Sequence, residues 1–173
     1  MEYLIIPLLL GCCLVVVYTI SNGIGPSPTS PKVIKALDEL LPEKNSGKVI
    51  ELGAGWGGVT AYLSEKYPES TVIAVENSPA VWLVCWLRSK LLRLHNVRVQ
   101  YGSIYQKDLS QAGLVYCYLF PGAMKKLASQ FQKMPCGSVV ISHTFSLPDQ
   151  EPERFILARD LWRSRIYRYR LSQ

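Results

Sequence analysis

Apolar residues recur along this chain in two rhythms. From Pro31 to about Leu41 they fall at helical spacing, with Val33, Ile34, Leu37, Leu40 and Leu41 on one face. Ser30 suits a cap for that helix, with Pro31 at its first position. Pro42 and Asn45-Ser46-Gly47 end it. Beyond them the pattern predicts strand 48–52, helix 57–66, strand 71–75, helix 79–93 and strand 97–101, then strand 114–119, helix 122–133 and strand 137–143. The nearly continuous apolar runs Val72–Val75 and Ser138–Ile141 suit strands buried on both faces. This alternation predicts an α/β fold, a mostly parallel sheet with helices on both faces. The tail, with Phe155, Leu157, Ile166, Tyr167, Tyr169 and Leu171, reads as two more strands, paired antiparallel.

Two segments do not fit that rhythm. Tyr3–Ile20 is 18 residues without a charge. As a helix it reaches roughly 27 Å, close to the hydrocarbon thickness of a bilayer. The only early charge is Glu2, which argues against a cleaved signal peptide. The reading is a single transmembrane anchor over residues 1–22. Lys32 and Lys35 downstream place the rest of the chain on the cytoplasmic, or equivalent inner, face. The second segment, 23–31, is rich in Gly, Pro and Ser. It reads either as an extended spacer or as a strap over a ligand pocket. Residues 32–173 would then form the catalytic domain.

Composition changes this picture little. The 173 residues, 49% hydrophobic, suffice for one domain. The net charge of +6 permits nucleic acid or an anionic membrane as a neighbour. Six arginines between Arg154 and Arg170 fit a solvated strand face, a lipid-facing surface or, less well, nucleic acid. The five cysteines are irregularly spaced and read as reduced, mostly buried thiols, and nothing has metal-site spacing. In the helix at 79–93, Trp82 and Trp86 share a side; core packing is the ordinary account, contact with a membrane-embedded substrate the other.

The chemistry concentrates in "VIELGAGWGG", Val49–Gly58. Gly53, Gly55 and Gly58 match G-x-G-x-x-G between a predicted strand and helix. Glu76, at the end of the second strand, suits a carboxylate that accepts both ribose hydroxyls of an adenosine. Glu51 discriminates between cofactors. A pyrophosphate would meet like charge there, whereas S-adenosylmethionine brings a sulfonium and an ammonium. There is also no room for a separate dehydrogenase substrate domain.

Together "VIELGAGWGG", "VIAVEN", "YGSIY" and "LVYCYLFP" make the chain resemble the class I S-adenosylmethionine-dependent methyltransferases, a Rossmann-like fold with a seven-stranded sheet. The apolar N-terminus followed by "GPSPTSP", the "YLFP" after strand four and the ending "IYRYRL" resemble, more narrowly, the small membrane-anchored protein-lysine methyltransferases that modify the ATP synthase c subunit or the adenine nucleotide translocase, and their prokaryotic relatives. The resemblance implies that Glu51, Gly53, Gly55 and Gly57 hold the methionine moiety and that Glu76 holds the ribose. It implies that Asn77 and Ser103 lie near the adenosine, and that Thr29, with Pro28 and Ser30, folds over the cofactor. It further implies a membrane-associated, even membrane-embedded, protein as partner. Trp56 stands where a small or acidic residue is usual, and strand four lacks the usual terminal Asp or Asn.

Methyl transfer needs an acceptor lone pair in line with the methyl group and water excluded. A lysine acceptor must also be neutral, which an apolar aromatic mouth favours. Tyr118, nearest the exit of strand four, is the first candidate to orient an amine, with a core role as the alternative; Phe120 and Pro121 would shape the channel. Tyr116 shares its face with Tyr118 and reads as core, while Cys117 points away. His143, ending strand five, is either a general base facing the cleft or a structural histidine. A small-molecule or lipid acceptor, and less readily nucleic acid, stays open beside lysine.

Overall fold

The computed structural model describes residues 15–19, 23, 25 and 27–172. Residues 15–19 are helical (α1). Then follow α2 (Pro31–Asp38), β1 (Lys48–Leu52), α3 (Gly58–Lys66), β2 (Val72–Glu76), α4 (Pro79–Leu91) and β3 (Val97–Tyr101). A short 3₁₀ turn at Ile104–Gln106 leads to β4 (Ala112–Cys117), α5 (Pro121–Phe131), β5 (Val139–His143), β6 (Arg154–Leu157) and β7 (Arg165–Arg170).

The seven strands form one sheet in the order β3-β2-β1-β4-β5-β7-β6. β1 to β5 run parallel, and β7 lies antiparallel between β5 and β6. Strand order reverses between β1 and β4. In an open parallel sheet, a crevice for ligands opens there, outside the carboxyl ends of the strands.

Period two along each strand divides the core. Ile50, Leu52, Val115, Cys117 and Val140 pack against Met124, Leu127 and Phe131 of α5. Val49, Leu114, Tyr116, Val139 and Ile141 face Val33 and Leu37 of α2 and Val59 and Leu63 of α3. Ser30 caps α2 as its position suggests, its Oγ accepting from the Val33 N–H at 3.3 Å. α2 stops at Asp38, sooner than the apolar pattern predicts, although Leu40 and Leu41 stay buried in the turn that follows.

Two outlying features differ from expectation. α4 buries only Val81, Cys85 and Ser89, and Trp86, Leu87 and Leu91 are exposed. The Trp82 and Trp86 rings stack on each other and Trp82 meets Tyr101 edge-on, so the pair builds an aromatic rim on α4. In the tail, Glu153 accepts hydrogen bonds from Arg168 and Arg170 at 2.7 and 3.2 Å, and Arg168 also donates to the Leu40 carbonyl. Part of the arginine run therefore braces the sheet edge.

No helix among the described residues is long and apolar enough to cross a membrane. That finding corrects the transmembrane anchor expected over 1–22, and with it the membrane partner and the single-pass location on a cytoplasmic face. Residues 1–14 and 20–22 of that segment lie outside the described residues. In the part that is described, Val15, Tyr18 and Thr19 line the crevice at the top of the sheet. Tyr18 shares a hydrogen bond with Tyr101. Val15 and Tyr18, from the run that suggests lipid contact, are here turned toward the protein's own cavity, while Val16 and Val17 are exposed.

Candidate active site

The crevice holds a cavity of about 340 Å³ walled by the β1–α3 turn, the end of β2, the β4 exit and the segment before α2. Gly53, Gly55 and Trp56 contribute from the turn, Glu51 from β1 and Glu76 with Asn77 from β2. Tyr116, Tyr118 and Phe120 come from β4 and its exit, and Ser27, Pro28 and Thr29 from the N-terminal side.

Backbone geometry explains the glycines. Gly55 and Gly57 sit at φ of 53° and 75°, in the left-handed region that favours glycine. A Cβ on Gly55 would meet nothing within 4 Å, so the backbone is bare where a ligand approaches. A Cβ on Gly57 would lie 2.9 Å from the Cys85 Sγ, so this glycine lets α4 pack against the turn. The two alanine variants should therefore part. Gly57→Ala is expected to lose about 1–3 kcal/mol of stability, visible as a lower denaturation midpoint. Gly55→Ala should cost less stability and more cofactor affinity.

Glu76 is held by three backbone donors. Its Oε2 accepts from the Gly55 N–H at 2.9 Å, and its Oε1 from those of Asn77 and Ser78 at 3.0 and 2.9 Å. One carboxylate thus ties the glycine turn to the end of β2. Carboxylate oxygens have lone pairs to spare after these bonds.

Glu51 is fully buried at the floor and accepts from the Thr60 hydroxyl at 2.5 Å. Burial pushes its carboxyl up to about 8, Thr60 works against this, and the Glu76 charge adds to it. Among the described residues Glu51 has no ion-pair partner.

Glu51 pairs in register with Tyr116 of β4, and Tyr116 with Ile141 of β5. His143, two residues further, therefore falls on the same face, and its Nδ1 lies 3.2 Å from the Tyr116 hydroxyl. The Tyr118 ring packs against the His143 ring at a tilt of 33°, centroids 4.5 Å apart. Burial pushes His143 down to about 4, with Asp160 pulling weakly the other way, so the ring is neutral near pH 7. Burial, and next the Glu51 charge, raise the Tyr116 hydroxyl well above its ordinary value, while a hydrogen bond from Thr29 opposes them. Cys117 faces away, with its Sγ 3.7 Å from the Met124 sulfur.

Other expected residues lie nearby without lining the cavity. Ser103 caps the 3₁₀ turn, its Oγ accepting from the Tyr105 N–H at 3.3 Å, and Ile104 and Tyr105 are the ones that reach the cavity. Pro121 is the first residue of α5, following Phe120 at the cap. Gly23 lies against the Phe120 ring. Tyr116, Tyr105 and Arg88 also line the cavity, and sequence reasoning does not single them out for it. For Tyr116 a signal exists: its parity with Glu51 across adjacent parallel strands.

Residues 51–154 match the family described as the ANTKMT methyltransferase domain, more than half of the chain. The chain belongs to this family. It is a methyltransferase by family, and S-adenosylmethionine is the cofactor that its sequence motifs imply. A protein-L-isoaspartate O-methyltransferase of Shewanella oneidensis is 33% identical over 119 residues, 69% of this chain and 56% of that protein. A trans-aconitate 2-methyltransferase of Deinococcus radiodurans is 31% identical over 126 residues, 70% of this chain and 47% of that protein. The chain thus spans about half the length of these relatives. An RNA methyltransferase from Salinibacter ruber, solved with S-adenosyl-L-homocysteine, superposes with a TM-score of 0.75 at 23% identity, covering 85% of this chain and 95% of that one, and shares the fold.

The residues of this methyltransferase fit the cofactor. A buried carboxylate with no cationic partner among the described residues, beside bare glycine backbone, suits the positively charged methionine end. The fixed carboxylate of Glu76 suits hydroxyl donors. The narrower resemblance to membrane-anchored enzymes does not stand, because its anchor is overturned by the absence of a spanning helix among the described residues.

Proposed function

We propose that this methyltransferase alkylates an amine nitrogen of a small molecule. The observation that carries the reading is the aromatic wall of the cavity, formed by Tyr116, Tyr118 and Phe120. Such a wall disfavours an ammonium and favours the neutral amine that has a lone pair to donate. S-adenosylmethionine supplies the methyl on a sulfonium; the nitrogen pair forms the new bond, the C–S pair stays on sulfur, and the extra proton leaves to water. A small-molecule acceptor is what the name of the Deinococcus relative carries.

On this reading Glu51, Gly53, Gly55 and Gly57 receive the methionine end and Glu76 the ribose. Asn77 and the Ser103 turn border the adenosine. Tyr118 and Phe120 face the acceptor, and Pro121 sets the start of α5 behind them. Residues 23–31 act as a strap, with Thr29 its contact, over a catalytic body at 32–173. A second reading, the side-chain amine of a protein lysine, meets the same requirement for a neutral amine, and the Shewanella relative is named for a protein acceptor.

The test is tritiated S-adenosylmethionine incubated with the protein and a cell extract, then fractionated. Label in acid- and base-stable small amines supports the proposal. Label recovered as methyl-lysine after acid hydrolysis supports the second reading. Label in base-labile esters, lipid or RNA overturns both.

A further inference from the structure

We propose that Tyr116, held by His143, positions the acceptor: its oxygen accepts a hydrogen bond from one N–H of the amine and so turns the nitrogen lone pair toward the methyl group. This rests on the amine reading above. Tyr116 lines the cavity although it is almost wholly buried, so its hydroxyl is one of few polar atoms at the aromatic end. Two partners already engage that hydroxyl. Thr29 hydrogen-bonds to it from the strap, and His143 Nδ1 lies 3.2 Å away on the sheet side.

A phenol has one proton and two acceptor sites. If His143 carries its proton on Nε2, Nδ1 accepts the Tyr116 proton. Thr29 then donates into one lone pair of the tyrosine oxygen, and the remaining pair faces the cavity. An amine with an N–H to donate fits that site, and donating it leaves the nitrogen's own pair free. In the opposite tautomer the Tyr116 proton would point into the cavity and cap the amine pair that must react. The geometry therefore assigns the Nε2–H tautomer to His143. Nε2 is buried without a hydrogen-bond partner among the described residues, and the Asp160 carboxylate is the negative charge that acts on the ring. Tyr118 packs at a tilt against the same ring, so His143 touches both tyrosines of the acceptor wall. Thr29 links the strap to this group, so strap closure and acceptor alignment meet at one oxygen.

The test has two readouts. In the unaltered protein, nitrogen NMR of ¹⁵N-histidine-labelled chain should show His143 protonated on Nε2 and bare on Nδ1; a proton on Nδ1 overturns the proposal. In single-turnover methylation of the small-molecule filtrate of a cell extract, with saturating labelled cofactor, Tyr116→Phe and His143→Phe should lower the rate about 100-fold, the scale of a misaligned reacting group. Calorimetric affinity for S-adenosylmethionine should stay within about threefold of the starting protein, an energy difference of about 0.6 kcal/mol. His143→Asn, which restores an acceptor near the Nδ1 position, should recover part of the loss. A Tyr116→Phe rate within threefold of the starting protein, or an equal fall in cofactor affinity, overturns the positioning role. Label in base-labile esters instead marks failure of the amine reading itself.

Discussion

Glu76→Ala is expected to abolish measurable methyl transfer and to lower the affinity for S-adenosylmethionine by about 100-fold or more. The magnitude follows from the bonds removed. Hydrogen bonds to a charged group contribute roughly 1.5–3 kcal/mol each, and loss of two ribose contacts alone is worth about 3 kcal/mol, or two decades in affinity. The backbone N–H groups of Gly55, Asn77 and Ser78 also lose their common acceptor. The glycine turn is then no longer tied to β2, so its thermal midpoint should fall as well. Glu76→Gln keeps one accepting oxygen and should lie between the two. Isothermal calorimetry and thermal melts on the three proteins check this. An alanine variant that binds as tightly as the original would remove Glu76 from the cofactor site.

Glu51→Gln is expected to weaken cofactor binding, remove its pH dependence and yet stabilise the free protein at alkaline pH. In the folded chain the Glu51 carboxyl is raised from 4.5 to about 8 by burial. Folding therefore retains a proton that the unfolded chain gives up. Between those values the native state binds more protons than the unfolded state, so stability falls as pH rises. The cost is absent below about pH 4.5 and complete above about pH 8. Glutamine does not titrate, so the gain in melting temperature over the original should be larger at about pH 9 than at about pH 5. Binding runs the other way. A cationic cofactor needs the carboxylate, so affinity should climb by up to about tenfold per pH unit below about 8 and level off above it. Calorimetry in two buffers of different ionisation enthalpy should register proton release on binding near pH 7, and none in Glu51→Gln.

Both acids are legible in the amino-acid sequence, because each sits at a defined distance from the glycine turn. Strand and helix alternation likewise places the elements from α2 onward within a few residues. The N-terminus differs from its sequence pattern for a physical reason. An uncharged apolar run reports that water is avoided, and says nothing about whether lipid or protein replaces it. Val15, Tyr18 and Thr19 meet the cavity instead. Ser103 shows the converse limit. A polar residue at a ligand-facing position suggests contact with the cofactor, but its hydroxyl is engaged by its own turn, and Ile104 and Tyr105 line the cavity in its place.

The order of apolar and polar residues determined the α/β alternation, the glycine turn and the acids at the ends of the first two strands, since all three depend on neighbours within one strand or loop. Only the tertiary structure could join Thr29, Tyr116 and His143, which are far apart in sequence. Their meeting depends on β4 lying between β1 and β5 in one register, and on the segment before α2 crossing the top of the sheet. Period two fixes which face a side chain takes; strand order decides what it finds there.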